Sequence, residues 1–207
     1  MEYALLGLLA DCPAHGYELN KKLKALSALG QVWFVKQANL YALLDKLEER
    51  GLIAGKHVEA GGYPPRKEYS ITADGEEALL SWLRTPVARP RDMRQEFLLR
   101  LYFARQSSPQ SARELLDSQR QALQCWQAEI QQVNAELPSE QTFRAIVLEY
   151  RLRQLQAMLD QALGEAQFLQ QEMASGQESL FGEAVAAARV EHTLPDVPAW
   201  TEAERLV

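Results

Sequence analysis

Three observations predict a mainly α-helical fold with one small β-hairpin. Apolar residues recur every three or four positions along most of the 207 residues, the period of amphipathic helices. That rhythm is interrupted once. Ile53 to Glu59 and Lys67 to Ile71 read as two strands around Gly61-Gly62-Tyr63-Pro64-Pro65, where Gly and Pro exclude helix and suit a hairpin tip. Beyond residue 110, two stripes alternate spacings of three and four over three heptads or more, a coiled-coil pattern. Three helices before the hairpin and one after it make an N-terminal winged helix-turn-helix, and the two stripes make a C-terminal helical, coiled-coil-like dimerisation domain.

Taken in order, Tyr3 to Ala10 is a short leucine-rich helix closed by Asp11, Cys12 and Pro13. His15-Gly16-Tyr17-Glu18 opens a second helix with Leu19, Leu23 and Leu26 inward and Lys21, Lys22 and Lys24 outward. Ser27 to Gln31 reads as a break, and Val32-Trp33-Phe34-Val35 leads into the third helix. There Leu40, Leu43, Leu44 and Leu47 fall at i, i+3, i+4 and i+7, and Gly51 stops the helix because it accepts a left-handed conformation. After the hairpin, Thr72 caps the next helix, with Asp74, Glu76 and Glu77 in the first turn, where the helix dipole favours acids. That helix ends near Arg84, and Pro86 to Pro90 reads as a hinge.

Met93 to Arg105 carries Phe97, Leu98, Leu101 and Tyr102, and Ser107-Ser108-Pro109 breaks it. The first long stripe is Leu116, Gln119, Leu123, Trp126, Ile130, Val133 and Leu137; Pro138 interrupts and Ser139 caps the last helix. Its stripe is Leu148, Leu152, Leu155, Leu159, Ala162, Ala166, Leu169 and Met173. Helices this long exceed what so small a domain can cover, so a second copy is expected. The dimer seam is expected at Leu116, Leu123, Trp126, Ile130, Leu148, Leu152, Leu155, Leu159 and Ala162. The plan is therefore 1–86 winged helix, 91–175 dimerisation domain, and 176–207 a weaker helix over Leu180 to Val190 with an extended tail of no assigned role.

Composition narrows the function. With 47% hydrophobic and 24% charged residues the chain is globular. No apolar run approaches the roughly 20 residues of a membrane span. The start lacks the basic and apolar regions of a signal peptide, and Cys12 and Cys125 match no metal-ligand spacing, so reduced thiols in the cytoplasm are expected. His15, His57 and His192 are scattered, and no catalytic triad, phosphate loop or zinc pattern stands beside them. No metal, cofactor or enzymatic activity is expected.

The net charge of −6 argues against nucleic acid until its distribution is considered. All lysines (Lys21, Lys22, Lys24, Lys36, Lys46, Lys56, Lys67) lie in the first third, where basic and acidic residues balance, and the remainder is acidic. The outer face of the third helix divides in the same sense. Its first turns present Gln37, Ala38, Asn39, Tyr41 and Ala42, whereas Asp45 and Glu49 follow. A helix that dips only its first turns into the major groove of double-stranded DNA has this composition. Asn39 and Tyr41 are the candidates for base edges or phosphate, since Asn pairs bidentately with adenine. Lys36, Lys46, Arg66 and Lys67 are placed for phosphates, with Tyr63 at the wing tip as a further candidate.

Several segments together resemble the PadR family of bacterial transcriptional regulators, in its branch with a long C-terminal domain. They are ALLGLLA (Ala4 to Ala10), HGYEL (His15 to Leu19), LYALLDKLEERGLI (Leu40 to Ile53), GGYPPRKEYSIT (Gly61 to Thr72) and the G-x-x-A-L of Gly75 to Leu79. MRQEFLLRLYFA, Met93 to Ala104, is similar to the segment that follows in that branch. The likeness covers roughly 1–175. Where many relatives carry Gly-Ser or Gly-Thr before the third helix's Leu-Tyr, this chain has Ala38-Asn39, which bears on the base sequence read. The resemblance implies a dimeric repressor on a pseudo-palindromic operator, a backbone contact from Tyr17, and a small aromatic effector near the dimerisation domain. Trp126 is the candidate effector residue, with plain core packing as the competing account. A winged-helix protein–protein adaptor without DNA binding is the alternative, kept open by Asp45 and Glu49.

Overall fold

The computed structural model describes residues 1–25, 27–58, 66–135 and 142–175. Helices α1 (Ala4–Ala10), α2 (Gly16–Ala25), α3 (Ser27–Val32) and α4 (Gln37–Glu49) precede strands β2 (Ile53–Val58) and β3 (Arg66–Ile71). A two-residue strand, β1 (Ala14–His15), lies between α1 and α2. Then follow α5 (Ala73–Arg84), a 3-10 turn (Pro90–Arg94), α6 (Glu96–Ser107), α7 (Pro109–Ala135) and α8 (Thr142–Ser175). The sheet is antiparallel in the order β1-β3-β2, with Ala14 opposite Tyr69 and Ile53 opposite Ile71.

Three local expectations have identifiable physical counterparts. Leu40, Leu44 and Leu47 of α4 are fully buried against Leu5, Leu6 and Leu9 of α1 and Leu19 of α2 in one apolar cluster. Gly51 ends α4 at φ +71°, the left-handed region that a side chain resists. The Thr72 hydroxyl accepts the Gly75 N–H at 3.1 Å and donates to the Gly51 carbonyl at 2.7 Å, so one side chain caps α5 and fastens it to the end of α4.

Four readings need correction. Ser27–Val32 is a helical turn rather than a break, so the helix before the wing is the fourth; burying Leu29 outweighs the poor helix propensity of Ser27 and Gly30. His15 belongs to a strand, and α2 starts one residue later, with the His15 N–H donating to Glu18 Oε2 at 2.9 Å. Pro86 to Pro90 is tied down rather than a free hinge. The Val87 N–H donates to the buried Gln119 at 2.8 Å, and the Arg100 guanidinium donates to the Thr85 carbonyl.

The fourth concerns the expected seam. Leu116, Leu123, Leu148, Leu155, Leu159 and Ala162 are buried within a single chain, where α7 and α8 pack on each other and on α6. Trp126 and Ile130 pack partly buried against the same core, and Leu152 is half-buried. A heptad stripe specifies a helix–helix contact and leaves open whether the second helix belongs to the same chain. The expectations for Leu26, Tyr63 and the hairpin tip, Pro138 and Ser139, and 176–207 fall outside the described residues. Among the described residues no helix is long and apolar enough to cross a membrane.

Candidate nucleic-acid interface

At 100° per residue, the exposed side of α4 has two edges. Asn39 and Lys46 share one edge. Tyr41 and Glu48, seven residues apart, share the other, which faces the wing. Gln37, Ala38, Asn39, Tyr41 and Ala42 are all exposed, as expected, and Lys36 stands at the N-terminal boundary of the helix, exposed and without an ion-pair partner among the described residues. Tyr17 is 66% exposed at the start of α2, which favours its reading as a contact rather than a core residue. Phe34, just before α4, is also exposed. A hydrophobic residue inside Val32-Trp33-Phe34-Val35 reads as core by composition alone.

The wing edge is built from long-range contacts. His15 Nδ1 lies 3.1 Å from the Lys67 carbonyl oxygen, which fastens the start of α2 to β3. Gly16 is buried beneath the Tyr41 ring: a Cβ there would stand 2.6 Å from Tyr41 Cε1 and 3.2 Å from its hydroxyl. The glycine of the H-G-Y-E-L segment thus lets the α4 tyrosine lie against the end of α2. Tyr17, Tyr41, Tyr69, Arg66 and Lys67 line a groove of about 630 Å³ between α2, α4 and β3. His15, Gly16 and Glu18 complete the lining, so the candidate phosphate contacts there are Arg66 and the Tyr17 and Tyr41 hydroxyls.

Two expected phosphate ligands are engaged inside the chain. Lys46 Nζ donates to Glu2 at 2.7 Å, on the side of α4 that faces the N-terminus, and Arg50 also binds Glu2, at 2.5 Å. Lys67 Nζ meets Glu48 Oε2 at 2.5 Å, and that hydrogen bond raises the ammonium's pKa above its ordinary value. Surface charges carry no sequence sign of such partners, because the partners lie 19 and 44 residues away. Arg66, opening β3, is exposed.

Trp126, the candidate effector residue, packs against the core and is not among the residues that wall a cavity away from the wing. That cavity, about 510 Å³, lies between α3, the 3-10 turn, α6 and α8. Leu29, Met93, Phe97, Leu101 and Ala162 supply its apolar walls, with Arg94 and Arg105 among the remaining lining residues.

Comparison with known proteins agrees with this layout. Residues 5–81 match the model of the transcriptional regulator PadR-like family, and residues 93–162 match that of the virulence activator alpha C-terminal region. The negative transcriptional regulator PadR of Bacillus subtilis is 32% identical over 131 residues, 63% of this chain and 71% of the relative. A crystal structure of Bacillus subtilis PadR with operator DNA is 27% identical, covering 84% of this chain and 97% of that one at a TM-score of 0.41. The Vibrio cholerae virulence activator AphA is 25% identical over 82% of this chain and 97% of its own, at a TM-score of 0.35. Whole-chain superpositions at those scores are loose, but the sequence match spans the winged helix and continues past it. The chain belongs to the transcriptional regulator PadR-like family.

Proposed function

We propose that the protein is a dimeric, sequence-specific DNA-binding regulator, acting as a repressor like its Bacillus subtilis relative, with α4 in the major groove of each half of a pseudo-palindromic operator. The observation that carries the reading is the division of α4. The outer face of its first two turns is exposed, uncharged and rich in hydrogen-bonding groups. Glu48 in its last turn is neutralised by the wing's own Lys67 rather than left for a partner. Phosphate contacts from Lys36, Tyr17 and Arg66 position the helix, and Asn39 reads a base edge.

Dimerisation belongs to the face of α8 opposite its buried stripe. Phe143, Val147, Tyr150, Gln154, Ala157, Gln161, Gly164 and Phe168 alternate four and three, a second heptad register on the same helix. Phe143 is 78% and Tyr150 62% exposed. A Cβ at Gly164 would meet nothing within 4 Å, so another helix can approach there. We retain the division into an operator-reading 1–86 and a dimerising 91–175, although one continuous apolar core joins them. A regulator of this kind works beside the DNA, so cytoplasmic location, reduced Cys12 and Cys125, and lack of catalytic activity are parts of the same proposal.

The cavity between α3 and α8 supports control by a small aromatic effector, because an occupant there touches both the turn that precedes α4 and the helix that joins the copies. The test pairs Phe143→Glu with Tyr150→Glu. Sedimentation should show a folded monomer, and operator affinity should fall about 10²–10⁴-fold with the loss of the intramolecular second contact. Residual binding should stay salt-sensitive, near the non-specific range of roughly 10⁻⁴–10⁻⁶ M. A double variant that stays dimeric moves the interface elsewhere. A wild-type protein that binds no duplex but docks a protein partner with little dependence on salt is an adaptor instead.

A further inference from the structure

Glu48 makes contacts that neither groove binding nor core packing requires. Its Oε2 receives the Lys67 ammonium of β3, and its Oε1 accepts the backbone N–H of Gly55 in β2 at 3.2 Å. One carboxylate on the recognition helix therefore holds both strands of the wing. Gly55 leaves room for the arrangement. A Cβ there would overlap Lys67 Cε and stand 2.6 Å from Glu48 Oε1, so a larger residue would push the ends of both side chains off their present positions. The Lys67 ammonium also sits 5.2 Å from the centre of the buried Tyr69 ring, with Asp45 one turn earlier on the helix adding to the negative field. Both members of the pair keep about a third of their side-chain surface exposed. A surface pair of that kind contributes little to stability. What it fixes is geometry and charge.

We propose that Glu48 is a positioning residue for DNA recognition: it sets the wing against the recognition helix and withholds the Lys67 cation from the phosphates. The proposal rests on the DNA-binding reading above. An unrestrained lysine next to the groove would add affinity for every sequence alike, because phosphate contacts carry no base information. Held by Glu48, Lys67 adds none, and discrimination between operator and random DNA gains accordingly.

The test is Glu48→Gln, which keeps the side-chain shape and removes the charge, measured with operator and random duplexes across a salt series. Releasing Lys67 to a phosphate should steepen the salt slope by about 0.9 for each DNA-binding unit engaged. Affinity for random DNA at low salt should rise several-fold, and the operator-to-random ratio should fall by a similar factor. Lys67→Ala alone should leave the slope at the wild-type value, and the double variant should return the slope of Glu48→Gln to it. Glu48→Asp, which keeps the charge, should hold the wild-type slope. A merely structural role would not move the slope in this pattern. The proposal is overturned if Glu48→Gln leaves the slope unchanged, or if Lys67→Ala by itself flattens it, since Lys67 would then already lie on a phosphate. Failure of the underlying reading looks different: wild-type protein would bind neither duplex at any salt concentration.

Discussion

Gly16→Ala perturbs the interface through a single methyl group. The added Cβ would lie 2.6 Å from Tyr41 Cε1, whereas ordinary van der Waals contact begins near 3.4 Å. The Tyr41 ring must therefore retreat by about 0.8 Å, the difference between those two distances. Because Tyr41 is more than a third exposed, its side chain has room to turn outward, and the melting temperature should move little. The hydroxyl, however, is carried off the position from which it would meet DNA. A hydrogen bond to a charged group such as phosphate contributes about 1.5–3 kcal/mol. Its loss corresponds to about ten- to a hundredfold in affinity for each half-site. An operator titration beside a thermal melt measures both effects. Tyr41→Phe should cost the same, and the double variant should cost no more than either alone, because both act on one contact. Additive losses, or operator affinity unchanged in Gly16→Ala, would refute the argument that this glycine exists to place Tyr41.

Three further outcomes are expected. Asn39→Ala should alter preference at one base position in each half-site, by roughly 1–3 kcal/mol; a loss uniform across sequences would make Asn39 a phosphate ligand. Leu155→Ala should destabilise the chain by about 2–5 kcal/mol in chemical denaturation, because Leu155 is buried inside it. If the variant keeps full stability and only dissociates, the stripe is a dimer seam after all. Burial pushes the Glu96 carboxyl up, but hydrogen bonds from Arg100 and Trp82 outweigh it and hold its pKa below the ordinary value. A depressed carboxylate stabilises above its unfolded pKa and loses that contribution as pH falls through the folded one. Acidification below the carboxylate range should therefore weaken the α5–α6 contact, and Glu96→Gln should remove that part of the pH dependence of stability. An unchanged acid limb would show that the Arg100–Glu96 pair is not its source.

Local chemistry made much of this structure legible in the sequence. The Leu40, Leu44 and Leu47 stripe, Gly51 at the end of α4, and the Thr72 cap are each set by residues within a few positions of one another. What was missed depends on contacts far along the chain. β1 is two residues long, too short for any alternation, and exists because Tyr69 and Glu68 pair with it. The turn at Ser27–Val32 is stabilised by burying Leu29 rather than by its own propensity. Lys46 and Lys67 look like free cations until Glu2 and Glu48 are brought beside them. The α8 stripe has a different origin: that helix carries two heptad registers, and the leucine-rich one expected at the seam is buried within the same chain, whereas Phe143 and Tyr150 of the other stay exposed.

The central claim is that two copies read DNA through the first turns of α4. Selecting bound duplexes from a random pool tests it most directly. The account predicts one enriched inverted repeat, its half-sites about one helical turn of 10–10.5 base pairs or a multiple apart, and also present upstream of the gene for this protein or a neighbouring one. A pool that stays random, or an enriched single half-site without its mate, would contradict it.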